Sequence, residues 1–241
     1  MKPEDTMLCP AFGVFRDRVL AYGQAAPLRA ALILVSLLCC GLIAWVDKPL
    51  ALHIKTHISD HTLGFFKTIT DWGKGGPWFT FAGVGFVCCA ALARWADAPA
   101  MVAKYRHFCR SFWFMIVAMA ASGIVVNIIK PIIGRLRPRY LFENGEYGIV
   151  LFNTHTGMNS FPSGHSQAIW SAMVCLWILF PRYNYVYGIV ALMIAASRVM
   201  TTVHYVSDTF MGTFIGIAIT LILKEKFEKE GRSLTILPYK S

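Results

Sequence analysis

Three short segments of this 241-residue chain carry residues suited to one kind of chemistry: Lys130, Arg137 and Pro138; then Pro162, Ser163, Gly164 and His165; then Ser197, Arg198, His204 and Asp208. Together they offer what an anionic phosphoryl centre requires. Lys130, Arg137 and Arg198 are fixed cations, and Ser163 and Gly164 supply backbone N–H donors at a helix start. His204 and His165 are two imidazoles, with Asp208 placed to orient the first.

Each segment has a plainer explanation when taken alone. Lys130, Arg135, Arg137 and Arg139 put four cations within ten residues and no acid among them. Such a cluster at a membrane edge wants an anion, although Lys and Arg at span ends also snorkel to headgroups. Ser163 is a natural N-cap, Gly164 lets an anion approach the backbone, and the positive helix end points at it. The same four residues also describe an ordinary Ser-capped helix. His204 and Asp208 are four apart, so a helix or a tight turn lets the carboxylate accept the imidazole N–H. That bond holds one tautomer and leaves the other nitrogen free to attack. The rival is a structural His–Asp pair at a helix junction, and the co-occurrence of all three segments weighs against it.

The elements that must position these residues are apolar. The chain is 56% hydrophobic and 15% charged, with mean hydropathy +0.53, which is too apolar for an ordinary soluble domain. About 20 apolar residues cross a hydrocarbon core of roughly 30 Å. Six stretches approach that length: 28–46, 77–96, 111–129, 165–181, 185–203 and 206–223. The predicted fold class is therefore all-α, a six-span transmembrane helical bundle with a short interfacial helix in the first outer loop. A retained first span is preferred over a cleaved signal peptide, because the run is long and Trp45-Val46-Asp47-Lys48 offers no small-residue cleavage pattern.

Lys and Arg near span ends set orientation. With both termini inside, 14 of the 23 Lys and Arg residues fall on the inner side, among them Arg29, Arg94, Lys104, Arg106, Arg110, Arg182 and Lys224. Of the nine outside, five (Lys130, Arg135, Arg137, Arg139 and Arg198) lie in or beside the proposed site. Parity agrees, since all three segments then meet on the outer face. The formal charge of +10 is explained by the inner collar facing an anionic leaflet. Nothing supports nucleic acid as a partner, because no Gly-rich nucleotide loop or aromatic–basic RNA signature occurs.

The organisation expected is one integral membrane domain over 1–241, with an inner N-terminal segment 1–27 and an inner C-terminal tail 224–241. The seven cysteines lie in spans or inner segments on this topology, with Cys39-Cys40 and Cys88-Cys89 read as packing residues. In the outer segment 47–76, Leu50, Ile54 and Ile58 have helical spacing and suggest the interfacial helix. His53, His57 and His61 recur every four residues there and could stack on one face. No fourth ligand or supporting shell accompanies them, so no metal site is assigned.

In order and residue for residue, the three segments resemble the signature of the type 2 phosphatidic acid phosphatase family, which also includes vanadium haloperoxidases. The resemblance covers about 111–223, the expected phosphatase core, and the first two spans contribute little to it. It implies two-step phosphoester hydrolysis without a metal or other cofactor. His204 would form a phosphohistidine with Asp208 orienting it, and His165 would serve as acid and then base. Lys130, Arg137, Arg198, Ser163 and Gly164 would hold the non-bridging oxygens.

A site at headgroup depth with apolar walls suits a phosphate on a lipid: lipid A, undecaprenyl diphosphate, phosphatidylglycerol phosphate or phosphatidic acid. Arg135 and Arg139 exceed the motif and could grip a second phosphate or another headgroup anion, or meet bulk phospholipid. The 140–161 loop is expected to gate or select the headgroup. The alternatives are phosphotransfer between lipids by the same residues, and a non-catalytic binder or transporter of anionic lipids. The complete His165, His204 and Asp208 set argues against mere binding. A soluble haloperoxidase is disfavoured by the six spans, and a bacterial inner membrane with the site on its periplasmic side is the expected location.

Overall fold

The computed structural model describes residues 26–155, 157–229 and 233–236, and they are helical apart from loops and one isolated bridge, Arg135 to Ile149. The expected inner segment 1–27 lies almost wholly outside the described residues, as do positions 237–241 of the expected tail.

α1 (Pro27–Gly41) opens on a proline, which has no N–H to lose in a first turn. A π-helical turn, Leu42–Val46, carries it without a break into α2 (Asp47–His57). Residues 27–57 therefore form one rod, and Asp47 does not begin a separate outer loop. α2 stops where Ile58 turns extended, and Ser59 caps α3 (Asp60–Ile69) by accepting the Thr62 N–H. That break separates the histidine triplet. His53 and His57 stack with ring centroids 4.2 Å apart, whereas His61 belongs to the first turn of the next helix, so the three do not share a face.

A 3-10 turn (Thr70–Gly73) leads to α4 (Gly75–Trp95), and α5 (Pro99–Ile133) follows with 35 residues. α5 begins well before the expected 111, because the basic stretch with Lys104, Arg106 and Arg110 continues the same helix. Short α6 (Pro138–Asn144), α7 (Gly164–Leu179), a 3-10 turn, α8 (Asn184–Met200) and α9 (Val206–Glu228) complete the chain. Among the described residues, four stretches are long and apolar enough to cross a bilayer: 27–57, 60–95, 99–133 and 206–228. α7 and α8 coincide with the fourth and fifth expected spans but have 16 and 17 residues.

The main core joins α5, α7 and α8 through Phe114, Met115, Met119, Ile169, Met173 and Ile194. A second cluster, Cys39, Val126, Met211 and Ile215, holds α1 against α5 and α9. Outward-facing Leu34, Val84, Val87 and Leu192 are each about three-fifths exposed, the surface expected where lipid replaces water.

Where apolar burial discriminates little, close approach and polar bonds hold helices together. A Cβ on Gly212 would lie 2.3 Å from the Ser163 carbonyl oxygen, and one on Gly216 would lie 2.6 Å from that of Gln167. α9 can thus press directly on the start of α7. Gln167 Nε2 donates to Ser122 Oγ at 2.7 Å, and Ser171 and Thr220 hydroxyls meet at 2.9 Å. These bonds link α5, α7 and α9. Residues 233–236 return to the bundle, with Ser111 donating to the Leu234 carbonyl and Ile236 to that of Leu179.

Candidate active site

α5 delivers Lys130 in its last turn and ends at Gly134, which has φ +57°. A Cβ there would sit 1.8 Å from the Val150 carbonyl oxygen, so the left-handed turn and the close approach both demand glycine. The turn sends Arg135 inward and makes Arg137 the N-cap residue of α6. Ser163 caps α7, accepting from the Ser166 N–H and hydroxyl, and its own N–H donates to the Asp208 carbonyl at 2.9 Å. His165 then occupies the first turn of α7.

α8 ends just past Arg198, whose carbonyl accepts the His204 N–H at 3.1 Å. The tight connection 201–205 includes Thr202 at φ +51°, a left-handed conformation costly for a β-branched residue. Tyr205 starts α9, and Asp208 in its first turn reaches back to accept the Tyr205 N–H at 2.9 Å. His204 is therefore in the turn and Asp208 in the helix, and their four-residue spacing brings Nδ1 within 3.4 Å of Oδ2. Both are almost fully buried.

The cations surround this pair. Lys130 Nζ donates to the Asn159 carbonyl at 2.9 Å, and Arg137 Nη2 to Asn159 Oδ1 at 3.3 Å. Arg198 Nη1 donates to Thr70 Oγ1 at 2.6 Å. Arg137 Nε and Arg198 Nε are buried without a hydrogen-bond partner. Buried N–H groups are nearly always paired, so two orphaned guanidinium donors in one site make it a candidate for binding an anion. A cleft of about 500 Å³ opens there, lined by Arg137, Arg139, Gly157, Asn159, Thr202 and Val203. Gly164 lies close to Lys130, with a Cβ on it 3.9 Å from the lysine Cε. His165 lies within electrostatic reach of the Arg198 and Arg137 guanidinium groups. The structure thus brings together all eight residues singled out from the sequence.

Burial holds the His204 imidazole down at about 4, with Lys130 and Arg198 adding to the effect and Asp208 opposing it. At neutral pH the ring is uncharged. With Nδ1–H directed at Asp208, the Nε2 lone pair is free to act as a nucleophile. Arg137 is lowered chiefly by burial, with Asp208 opposing.

Arg135 needs a correction. It is 1% exposed, and its Nη1 and Nη2 pair with Asp208 at 2.6 Å and Asp47 at 2.9 Å. Its acids come from distant parts of the chain, so it cannot grip a second phosphate or headgroup. Arg139 keeps that possibility: it is largely exposed at the cleft rim, 4.0 Å from Glu143. Ser160, Asn159, Thr70 and Asp47 escaped sequence reasoning. Ser160 is fully buried and donates to Asp208 Oδ2 at 2.5 Å, 3.4 Å from His204 Nδ1. Its nearness to Pro162 was a usable signal, as was a carboxylate at Asp47 ending an apolar run; Thr70 offered none.

Fold and site together define an integral membrane protein of packed helices with a candidate anion site around a buried His–Asp pair. Residues 111–232 match the model of the PAP2 superfamily, and the chain belongs to that superfamily. It is 30% identical over 125 residues to a lipid A 1-phosphatase of Rhizobium johnstonii, covering 52% of this chain and 51% of that protein. It is 23% identical over 129 residues to an undecaprenyl-diphosphatase of Sulfolobus acidocaldarius, covering 53% and 61% respectively. The chain thus spans about half the length of the lipid A 1-phosphatase it matches. Among solved structures, a transmembrane PAP2-type phosphatidylglycerolphosphate phosphatase of Bacillus subtilis superposes with TM-score 0.61 at 16% identity, over 84% of this chain and 96% of that one. LpxE of Aquifex aeolicus gives 0.53 at 20%, over 74% and 94%. At these identities the likeness is one of fold.

Proposed function

We propose that this chain is a membrane lipid phosphatase that removes a phosphate from a lipid through a phosphohistidine on His204. The observation that carries this reading is a buried imidazole backed by a carboxylate, in a site with two orphaned guanidinium N–H groups.

In the first step His204 Nε2 attacks phosphorus in line with the lipid oxygen. The P–N bond forms as the P–O bond breaks, and the departing oxygen takes a proton from protonated His165. Asp208 stabilises the imidazolium character that grows on His204. Lys130, Arg137, Arg198 and the Gly164 N–H at the start of α7 face the charge on the non-bridging oxygens, whereas the Ser163 N–H is already engaged by the Asp208 carbonyl and serves to seat α7 against α9. In the second step His165 removes a proton from water as its oxygen attacks phosphorus, the P–N bond breaks, and inorganic phosphate leaves. Proton balance is restored over the cycle, and no step calls for a metal or cofactor.

A groove of about 400 Å³ running from Gly164 between α4, α5 and α7, past Phe79, Gly123, Ile124 and Asn127, supports a lipid substrate. The polar cleft beyond it suits a bulky anionic headgroup, so a lipid A phosphate is the first substrate proposed, with undecaprenyl diphosphate second. The proposed topology keeps six spans, with α7 and α8 as the short fourth and fifth and the site at their outer end. It puts both termini in the cytoplasm of a bacterium, the active site of the 111–223 core on the periplasmic side, and α3 at the interface.

The test is phosphate release by detergent-purified protein in EDTA, across lipid A, undecaprenyl diphosphate, phosphatidylglycerol phosphate and phosphatidic acid. Release should survive EDTA and vanish in His204→Ala, with lipid binding retained. Loss of release on chelation, or turnover by His204→Ala, would overturn the mechanism.

A further inference from the structure

Asp47 lies outside the 111–232 family match and 161 positions before the catalytic carboxylate in sequence, yet it is 1% exposed and tied to that carboxylate. The π turn ahead of it brings this about. Such a turn inserts a residue into the α-helical repeat and frees a carbonyl. The Ile43 carbonyl accepts the Tyr147 hydroxyl at 2.6 Å, and Asp47 points inward at the start of α2, after the apolar α1 and the π turn.

Asp47 Oδ1 accepts the Ser207 N–H at 3.2 Å, and Oδ2 accepts the Ser207 hydroxyl at 2.5 Å and Arg135 Nη2 at 2.9 Å. Arg135 Nη1 donates to Asp208 Oδ1 and to Ser207 Oγ, both at 2.6 Å. The guanidinium carbon lies 4.3 Å from the centre of the Tyr205 ring, and Tyr147 supplies a further oxygen at 3.0 Å. Arg135 is therefore forked between two carboxylates. It occupies Oδ1 of Asp208 and leaves Oδ2 for His204.

A lone arginine on Asp208 would hold the carboxylate but also compete with the imidazolium for its charge. Asp47 shares that cation, so the group Asp47–Arg135–Asp208 keeps one net negative charge, the charge His204 needs as the P–N bond forms. We propose that Asp47 and Arg135 are positioning residues for the His204–Asp208 pair, so that the first helix is a working part of the site and not only an anchor. This rests on the phosphohistidine reading above.

The experiment uses the full chain in detergent with Asp47→Asn, which removes the charge and keeps the shape. Phosphate release is measured alongside the NMR signal of the His204 Nδ1 proton, assigned with His204→Ala. Expected are a fall in kcat of about tenfold to a hundredfold, KM within about twofold, and a shifted or lost Nδ1–H signal. A folded Asp47→Asn protein with kcat within about twofold of the parent and an unmoved signal would overturn the proposal. Should Asp47→Asn not fold, Ser207→Ala removes only the bridging hydroxyl. A several-fold loss of kcat supports the link, and unchanged kcat overturns it. If the parent releases no phosphate from any lipid, the functional reading fails, while the Nδ1–H signal still decides whether Asp47 acts on His204.

Discussion

Replacing Asp208 with Asn should abolish nearly all turnover while sparing substrate binding, and the hydrogen bonds show why. Asp208 is fully buried and accepts from Arg135 on Oδ1 and from Ser160, the Tyr205 N–H and His204 on Oδ2. An asparagine has one oxygen and one NH₂. Arg135 can only donate, so the amide must turn its oxygen to Arg135 and its NH₂ to the other three. The Ser160 hydroxyl can reverse and accept, but the Tyr205 N–H is left facing a donor. His204 is driven to accept at Nδ1, which puts the proton on Nε2, where the lone pair must attack. In a serine-protease triad the same exchange costs about 10⁴ in kcat through the wrong tautomer. A loss of about 10³ to 10⁴, or about 4–5.5 kcal/mol of barrier, is expected here. The loss belongs in kcat, because no phosphate-facing cation is touched, and KM should move less than about threefold. The assay is phosphate release at saturating lipid, with a thermal melt to verify folding, since breaking a buried ion pair also destabilises by about 3–5 kcal/mol. Asp208→Asn combined with His204→Ala should be no worse than His204→Ala alone. Retention of a tenth or more of parental kcat by folded Asp208→Asn would refute the orienting role.

Because the neutral imidazole of His204 is the active form and is held at about 4, while His165 must carry the proton it gives to the leaving oxygen, kcat/KM should climb with pH through the region near 4 and fall again where His165 loses that proton. Lys130→Met removes a cation that pushes the value down, so the residual activity's acid limb should move to higher pH; a limb that stays or falls would contradict this. Stability follows the same sign: the unfolded imidazole takes a proton below about 6.5, the folded one only near 4, so melting temperature should drop as pH falls through that window. Gly212→Ala forces a methyl against the Ser163 backbone, which cannot swing away. It should destabilise by about 1–3 kcal/mol and lower kcat, whereas Gly188→Ala, with nothing within 4 Å, should be neutral or stabilising in the same melt.

Periodicity and apolar length made the helices legible, because a chain meeting lipid must satisfy its backbone internally. The helices beginning near 28, 165, 185 and 206 follow directly from that. Less legible were the joins. The π turn at Leu42–Val46 leaves no mark on hydropathy, so Asp47 reads as the end of a span when it is the middle of a rod. Ser59 was a visible cap, and it decides that His61 leaves the face of His53 and His57.

The chemical kit was decided by sequence alone: Lys130, Arg137, Ser163, Gly164, His165, Arg198, His204 and Asp208 carry functional groups and local spacings that need no fold to be recognised. What only the tertiary structure decided is which charges answer one another. Arg135 and Arg137 are two residues apart and chemically alike, yet one is neutralised between Asp47 and Asp208 while the other keeps a buried N–H without a partner. Ion pairing depends on distance in space and on burial, and Asp47 reaches Arg135 only because α1, α5 and α9 pack side by side around Cys39, Val126 and Met211. A sequence specifies the charges, and packing decides which of them remain for a substrate.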